Sequence, residues 1–301
     1  MKDDTTIRER VPNIFRKMKR LGYYWRLFPA VFWLVVFLVL PLSLMLIYSF
    51  WDMVHFELIP TWTLRHYLRI FVGAEGLYFK LLLKSIGMSA AVTLGSIALA
   101  YPAAYYISMR GGKYKYVLLN LIMTPYLVSW VILIFGWRMV IGYNGLLNTL
   151  LMGAGLISEP MRLWGNWMTV IFVLIVSWAP WLVLPIFVSL EKIDRTLLEA
   201  GADLGASPSE NFTKITLPLS MPGLLVATFF VLIPTYGEFI APILAGGPSG
   251  AMIGSAIETA FGGMHNWPFG SAMCFILLII ALITSLVLMR KAGLRTLMES
   301  L

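Results

Sequence analysis

Long runs of apolar residues separated by polar connections dominate the chain. A helix rises about 1.5 Å per residue, so about 20 apolar residues are needed to cross about 30 Å of hydrocarbon. The runs of this length predict an all-α polytopic membrane protein with six transmembrane helices. They lie at Phe28–Phe50, Leu81–Ile107, Val117–Val140, Met168–Leu190, Leu224–Leu244 and Ser271–Met289.

Composition agrees with this pattern. Of 301 residues, 59% are hydrophobic and 13% are charged, and the mean hydropathy is +0.81, which excludes an ordinary soluble domain. The first run is too long for the core of a signal peptide, and no small-residue cleavage site follows it. We therefore divide the chain into a basic arm at 1–27, a six-helix domain at 28–290 with a polar loop at 191–223, and a tail at 291–301.

Basic residues are distributed unevenly between the connections. The arm at 1–27 carries eight, and the loops at 108–116, 191–223 and 290–301 carry three each, whereas the loop at 246–270 carries none. Because cytoplasmic loops are enriched in Lys and Arg, this bias predicts that both termini are cytoplasmic. The bases are spread over separate loops, which argues against nucleic acid as a partner and favours the lipid bilayer.

Apolar residues recur at helical spacing within the arm, at Val11, Ile14, Phe15 and Met18. This spacing predicts an amphipathic helix on the cytoplasmic membrane face. A disordered tail is the alternative.

Prolines lie in or beside most of the apolar runs. Each lacks a backbone N–H and can kink its helix, and such breaks are tolerated where a neighbouring helix or a watery cavity satisfies the freed carbonyls. The pairs Pro180/Pro185 and Pro234/Pro242 therefore predict breaks of the kind that line a transport path.

The polar stretch from Glu199 to Pro218 has the sequence features of two short, capped helices. Asp194 can cap a helix from Arg195 to Leu204, and Gly205 stands where a left-handed residue ends such a helix. The sequence Ser207-Pro208-Ser209-Glu210 then forms a capping box with proline at the first helical position. We expect the second helix to end at Pro218, and Pro222-Gly223 to reset the chain for the fifth apolar run.

The same stretch resembles a known signature. Glu199-Ala200-Gly201, then Gly205, then Ile215-x-Leu217-Pro218 is similar to the cytoplasmic "EAA" sequence of membrane subunits in ATP-binding-cassette importers fed by a binding protein. Gly201 departs from the alanine that is more common there. The resemblance implies a type I importer permease fold and a coupling helix seated on an ATPase subunit. The residues it assigns to coupling are Glu199, Ala200, Gly201, Asp203, Gly205, Ala206, Ser207, Pro208, Ile215, Leu217 and Pro218.

A second resemblance narrows the family. The segments at 234–239, 246–248, 252–254 and 267–272 are similar to those of the first permease subunit in spermidine/putrescine-type importers. This implies a multi-pass protein of the bacterial inner membrane that moves a polyamine or a related small organic molecule. The implied partners are two ATPase subunits, a second and different permease subunit, and a periplasmic or extracellular solute-binding protein.

The chain lacks the residues that ATP chemistry needs. It contains no Gly-x4-Gly-Lys-Ser/Thr sequence, so it has no phosphate-cradling loop of its own. His55, His66 and His265 share no metal-ligand spacing. We therefore expect no enzyme activity and no bound cofactor or metal in this chain. ATP and Mg²⁺ would be held by the partner ATPase.

Glu238 is an ionisable residue at the edge of the fifth apolar run, where a charge is costly and often functional. It is a candidate for facing a cationic solute, and Tyr236, Trp178, Trp181 and Trp130 could add cation–π faces. Alternatively, Glu238 packs or gates against a polar partner on the companion subunit, and the tryptophans belong to an interfacial belt or to the core.

The alternative function is an ATP-independent channel or an ion-coupled secondary carrier, which would act without partners. A membrane enzyme is disfavoured because no catalytic constellation is present. Activity with and without the ATPase separates the first two.

Overall fold

The computed structural model describes residues 28–291. The predicted amphipathic arm and most of the predicted tail lie outside the described residues. Within them, six helical stretches are long and apolar enough to cross a membrane. These are Phe28–Tyr48, Leu77–Arg110, Trp130–Gly153, Trp167–Glu191, Pro208–Tyr236 and Trp267–Arg290.

Between residues 28 and 291, the regular secondary structure is helical apart from one small hairpin, in which Asp52 pairs with Ile59. The strands are β1 (Asp52–Val54) and β2 (Glu57–Ile59), and the helices are α1 (Phe28–Tyr48), α2 (Arg65–Val72), α3 (Leu77–Arg110), α4 (Lys115–Met123), α5 (Trp130–Ile141), α6 (Leu146–Gly153), α7 (Trp167–Glu191), α8 (Arg195–Asp203), α9 (Pro208–Tyr236), α10 (Ile240–Ala245), α11 (Ile253–Glu258) and α12 (Trp267–Lys291). Wide π turns occur at Val35–Val39 and Phe212–Thr216, within α1 and α9, and at Thr259–Gly263, after α11.

The core of the bundle consists of α3, α7 and α9, which pack on one another along most of their lengths. Their buried apolar side chains form one continuous cluster. Small residues allow close approach, as expected where helices associate without a hydrophobic driving force. Gly95 of α3 lies directly against Ile175 of α7, and Gly223 of α9 lies against Pro185 and Ser189 of α7.

Hydroxyl groups connect the same three helices. The Tyr101 hydroxyl on α3 and the Ser220 Oγ on α9 are 2.8 Å apart. Ser189 Oγ on α7 donates to the Ser220 carbonyl at 3.4 Å and accepts from the Gly223 N–H at 3.3 Å. In an apolar surrounding these polar groups need partners inside the protein, so the contacts fix how the helices sit against each other.

A second, smaller cluster joins α2, α3 and α12. Ile70, Tyr78, Leu82, Phe269 and Met273 are buried in it. α1 packs chiefly against α12, and the most hydrophobic stretch of α1 has no buried residue. α1 therefore lies at the edge of the bundle.

The predicted segment Val117–Val140 is wrong as a single helix. α4 ends at Met123, a 3-10 turn at Thr124–Leu127 contains Pro125, and α5 starts at Trp130. Pro125 has no backbone N–H with which to continue the α-helical hydrogen-bond ladder, and after the 3-10 turn the chain becomes extended at Val128.

The prediction that Pro218 ends the second short helix is also wrong. α9 continues through Pro218 and through Pro222-Gly223 to Tyr236. In the π turn before it, the Leu217 N–H donates to the Phe212 carbonyl, so the hydrogen-bond register changes where Pro218 lacks a donor. The polar loop at 191–223, which we name the coupling loop after its resemblance to the EAA sequence, therefore runs into the core through α9.

Of the two predicted breaks, the one at Pro234/Pro242 is present and the one at Pro180/Pro185 is absent. α7 contains both Pro180 and Pro185 and remains one helix. The chain leaves helical geometry after Tyr236 and resumes it at Ile240. Pro234 lies one turn before this break, and Glu238 lies inside it.

Candidate functional site

The coupling loop contains the first of the two predicted capped helices. Asp194 caps α8 by accepting a hydrogen bond from the Thr196 N–H at 3.0 Å, and this bond lowers the pKa of the Asp194 carboxyl. Gly205 ends the helix with φ of +85°. The Gly205 and Ala206 N–H groups donate to the Ala202 and Gly201 carbonyls at 2.9 and 3.0 Å, the pattern of a Schellman cap.

The predicted capping box is also present. Ser207 Oγ accepts from the Glu210 N–H at 3.3 Å, and Glu210 Oε2 accepts from the Ser207 N–H at 3.0 Å. Pro208 occupies the first helical position, and Lys214 Nζ donates to Glu210 Oε1 at 2.9 Å. Local sequence therefore fixes where α8 ends and α9 begins.

One contact between α8 and α9 explains why position 201 is glycine and not the alanine that is more common in the EAA sequence. A Cβ at this position would collide with Asn211 Oδ1 and come within 3.1 Å of Ile215 Cδ1. Asn211 Nδ2 donates to the Leu198 carbonyl at 3.0 Å and so ties α9 to α8. Sequence reasoning missed Asn211, because its side chain bonds to a residue of the neighbouring helix.

Gly201→Ala should lower the melting temperature of the purified protein by overpacking this contact, with a cost of about 1–3 kcal/mol. Adding Asn211→Ala should remove part of that cost, because the methyl group then has space. A double-mutant cycle measures the coupling. Strict additivity of the two changes would contradict the contact, and Ala202→Ser on the exposed side of α8 is the control.

The opposite side of α8 is open to solvent. Glu199 and Asp203 are exposed there and form no ion pair within residues 28–291. Leu204 is 90% exposed at the end of the helix. A leucine this exposed beside two carboxylates suits a partner with an apolar pocket and basic residues around it. Leu204 was not among the predicted site residues.

An elongated cavity of about 1380 Å³ lies along α7 and α9. It extends from Lys192 and Asp194, beside α8, past Trp181 to Trp178, Trp130 and Glu238. From Trp178 to Lys192, helix rise alone gives a length of about 20 Å. The walls between are mostly apolar, with Leu184, Val188, Leu219, Val226 and Phe230 among them.

Glu238 lies at the end of the cavity away from α8. Its Oε1 accepts hydrogen bonds from the Ile240 and Ala241 N–H groups at 2.9 and 3.2 Å, so the carboxylate caps α10. Gly254 lies against the backbone of Gly237 and Glu238 and leaves no room for a side chain there. The carboxylate is thus held in place and has no cationic partner within the described residues.

The residues predicted to face a cationic solute divide into two groups. Trp130, Trp178, Trp181 and Glu238 all line the cavity. The rings of Trp130 and Trp178 meet edge to face at 5.4 Å. Tyr236 does not belong with them. It is 3% exposed, and its hydroxyl donates to Thr284 Oγ1 of α12 at 3.3 Å.

Residues 91–293 match the family model described as "Binding-protein-dependent transport system inner membrane component". The chain belongs to this family. It is therefore a membrane-spanning permease and an inner membrane component of a binding-protein-dependent transport system, and the EAA resemblance identified the family correctly.

Relatives with known names are similar over most of their length. "Spermidine/putrescine transport system permease protein PotB" of Haemophilus influenzae is 35% identical over 80% of this chain and 84% of its own. The protein of the same name from Escherichia coli K12 is 34% identical over 87% of this chain and 94% of its own. "Trehalose/maltose transport system permease protein MalF" of Thermococcus litoralis is 26% identical over 94% and 98%.

Solved structures of importers share the fold. A chain from a bacterial ABC transporter involved in import of the acidic polysaccharide alginate aligns with a TM-score of 0.71 and 18% identity, over 93% of this chain and 98% of that one. A chain of the MetNI methionine ABC transporter aligns with a TM-score of 0.55 over 71% and 94%, also at 18% identity. The predicted type I importer permease fold is confirmed.

Proposed function

We propose that this permease forms half of the translocation path of an ATP-driven importer and transmits the motion of an ATPase to that path. The observation that carries this proposal is the coupling loop. Its two helices are capped and locked to each other, its outer face is open, and α9 continues from it into the buried core without interruption.

The proposed complex contains this chain, a second permease, two ATPase subunits and a solute-binding protein. The similar alginate transporter was solved with a substrate-bound periplasmic protein, which supports the last of these partners. The exposed Leu204, Glu199 and Asp203 would contact the ATPase, which also holds ATP and Mg²⁺. The open cavity along α7 and α9 would be completed by the second permease.

In this mechanism ATP draws the two ATPase subunits together, and each carries its coupling loop with it. Displacement of α8 is passed to α9 through the contact of Gly201 with Asn211. It is passed to α7 through the short link at 192–194. Because α7 and α9 form the wall of the cavity, this displacement opens the cavity to one side of the membrane or the other.

We infer that the solute is a polyamine or a related cation. Two observations support this: relatives 34–35% identical are named spermidine/putrescine permeases, and the cavity lining includes the fixed carboxylate of Glu238 and three indole rings. Carboxylates and indole faces both attract ammonium groups. We also propose that both termini are cytoplasmic, because Lys and Arg are more frequent in the arm and in the loops that would then lie on the cytoplasmic side.

Native mass spectrometry of the complex purified through a tag on this chain tests the composition. The expected complex has one copy of this chain, one companion permease and two ATPases. Purification of this chain without any ATPase, from cells that express all the subunits, would contradict the coupling role. Calorimetry on the solute-binding protein of the complex tests the solute, and failure to bind spermidine or putrescine would contradict a polyamine.

A further inference from the structure

Four helices meet at a polar cluster beside the coupling loop. Glu191, the last residue of α7, accepts a hydrogen bond from Ser108 Oγ of α3 at 3.1 Å. Its other carboxylate oxygen binds the ammonium of Lys115, the first residue of α4. Arg195, the first residue of α8, donates from Nη2 to the Ser108 carbonyl at 3.4 Å. Glu191 therefore lies at the centre of contacts that join α3, α4 and α7, and α8 joins through Ser108.

The cluster is partly withdrawn from water. The Glu191 and Lys115 side chains are 24% and 27% exposed, and the adjacent Ile193 is only 9% exposed. The hydrogen bond to Glu191 raises the pKa of the Lys115 ammonium. Ion pairs with reduced solvent exposure are screened less by salt than pairs at an open surface.

The position of the cluster gives it a mechanical consequence. α9 is continuous with the coupling loop, and α7 is joined to α8 by residues 192–194, but α3 and α4 have no covalent link to the loop nearby. α3 and α4 are joined to each other by the turn at 111–114. The contacts made by Glu191 and Arg195 connect this turn to α7 and α8.

We propose that Glu191 is a positioning residue that makes the inner ends of α3 and α4 follow the coupling loop during transport. This inference rests on the proposed function. The same displacement would then reach α5, which follows α4 and carries Trp130 on the cavity wall. Without Glu191, ATP hydrolysis would move α7 and α9 while α4 and α5 lag behind, and the path would open incompletely.

Two substitutions test the ion pair between Glu191 and Lys115. Glu191→Gln keeps an acceptor for Ser108 but removes the charge that holds Lys115. Lys115→Met removes the same ion pair from the other side. Lys113→Met is the matched control, because Lys113 loses an equal charge in the same turn but is exposed and pairs with no carboxylate in the described chain. The exchanged pair Lys115→Glu with Glu191→Lys restores an ion pair.

The experiment measures radiolabelled spermidine uptake and ATP hydrolysis together in proteoliposomes that contain the full complex and the binding protein. We expect Glu191→Gln and Lys115→Met to lower the solute transported per ATP about tenfold, while hydrolysis stays within about twofold of wild type. The exchanged pair should recover at least half of the lost ratio, and Lys113→Met should leave it unchanged. A purely structural role would lower both activities together with the amount of assembled complex.

An unchanged ratio in the single variants, or an exchanged pair no better than they are, overturns the inference. The wild-type complex shows whether the proposed function itself fails. If it shows no ATP-dependent uptake of spermidine or putrescine, the proposed function is wrong, and the inference falls with it.

Discussion

Gly205→Val is expected to lower ATP-driven uptake at least tenfold. The backbone at Gly205 has φ of +85°, and a side chain with a Cβ costs about 1–2 kcal/mol in the left-handed region. Apart from Gly205 and its two chain neighbours, no residue of the described chain has an atom within 4 Å of a Cβ built there, so strain within this chain is the smaller part of the effect. The larger part comes from the surface, because the valine would project from the face that we propose docks on the ATPase.

The chain offers a matched control for this change. Gly155 has φ of +71°, and a Cβ built there also meets nothing within 4 Å apart from its chain neighbours. It ends α6 with the same pair of hydrogen bonds, from Gly155 to Met152 at 3.0 Å and from Leu156 to Leu151 at 2.9 Å. Gly155→Val should therefore cost similar stability and leave uptake per assembled complex intact. Equal losses in both variants would contradict a docking role for Gly205.

Glu238→Gln is expected to raise the spermidine concentration for half-maximal uptake about tenfold and to leave assembly intact. Glutamine keeps an oxygen that can accept from the Ile240 and Ala241 N–H groups, so the cap of α10 survives. What is lost is the negative charge, and hydrogen bonds to charged groups contribute about 1.5–3 kcal/mol, or about tenfold or more in affinity.

Two further variants serve as comparisons for Glu238→Gln. Glu238→Ala removes the cap together with the charge and should also lower the yield of complex. Glu258→Gln removes an exposed carboxylate that does not line the cavity and should have no effect. Unaltered spermidine uptake in Glu238→Gln would show that the carboxylate does not face the solute.

Features set by neighbouring residues in the chain could be predicted from the sequence. The caps at Asp194, Gly205 and Ser207 each depend on hydrogen bonds within a few residues, and the structure has all three. The number of long apolar helices follows from the thickness of the bilayer. Family membership followed from a resemblance, because Glu199, Gly205 and Pro218 match a known signature in residue type and spacing.

Features set by tertiary contacts could not be predicted. Whether a proline breaks a helix depends on what surrounds it. A π turn precedes Pro218, and the helix continues past it. Helix α7 also remains continuous at Pro180 and Pro185. The break after Tyr236 ends the helical periodicity, so spacing alone could not show that Tyr236 faces α12 while Glu238 faces the cavity. The contact of Gly201 with Asn211 joins α8 to α9, so no pattern of neighbouring residues in the sequence indicates it.

Uptake of radiolabelled spermidine into proteoliposomes, with and without the ATPase subunit, tests the central claim most directly. The vesicles contain this chain and the companion permease, and the binding protein and ATP are supplied on opposite sides. We predict concentrative uptake only when the ATPase is present and ATP can be hydrolysed. Uptake at the same rate by this chain alone, without ATPase or ATP, would contradict the account and would indicate a channel or an ion-coupled carrier.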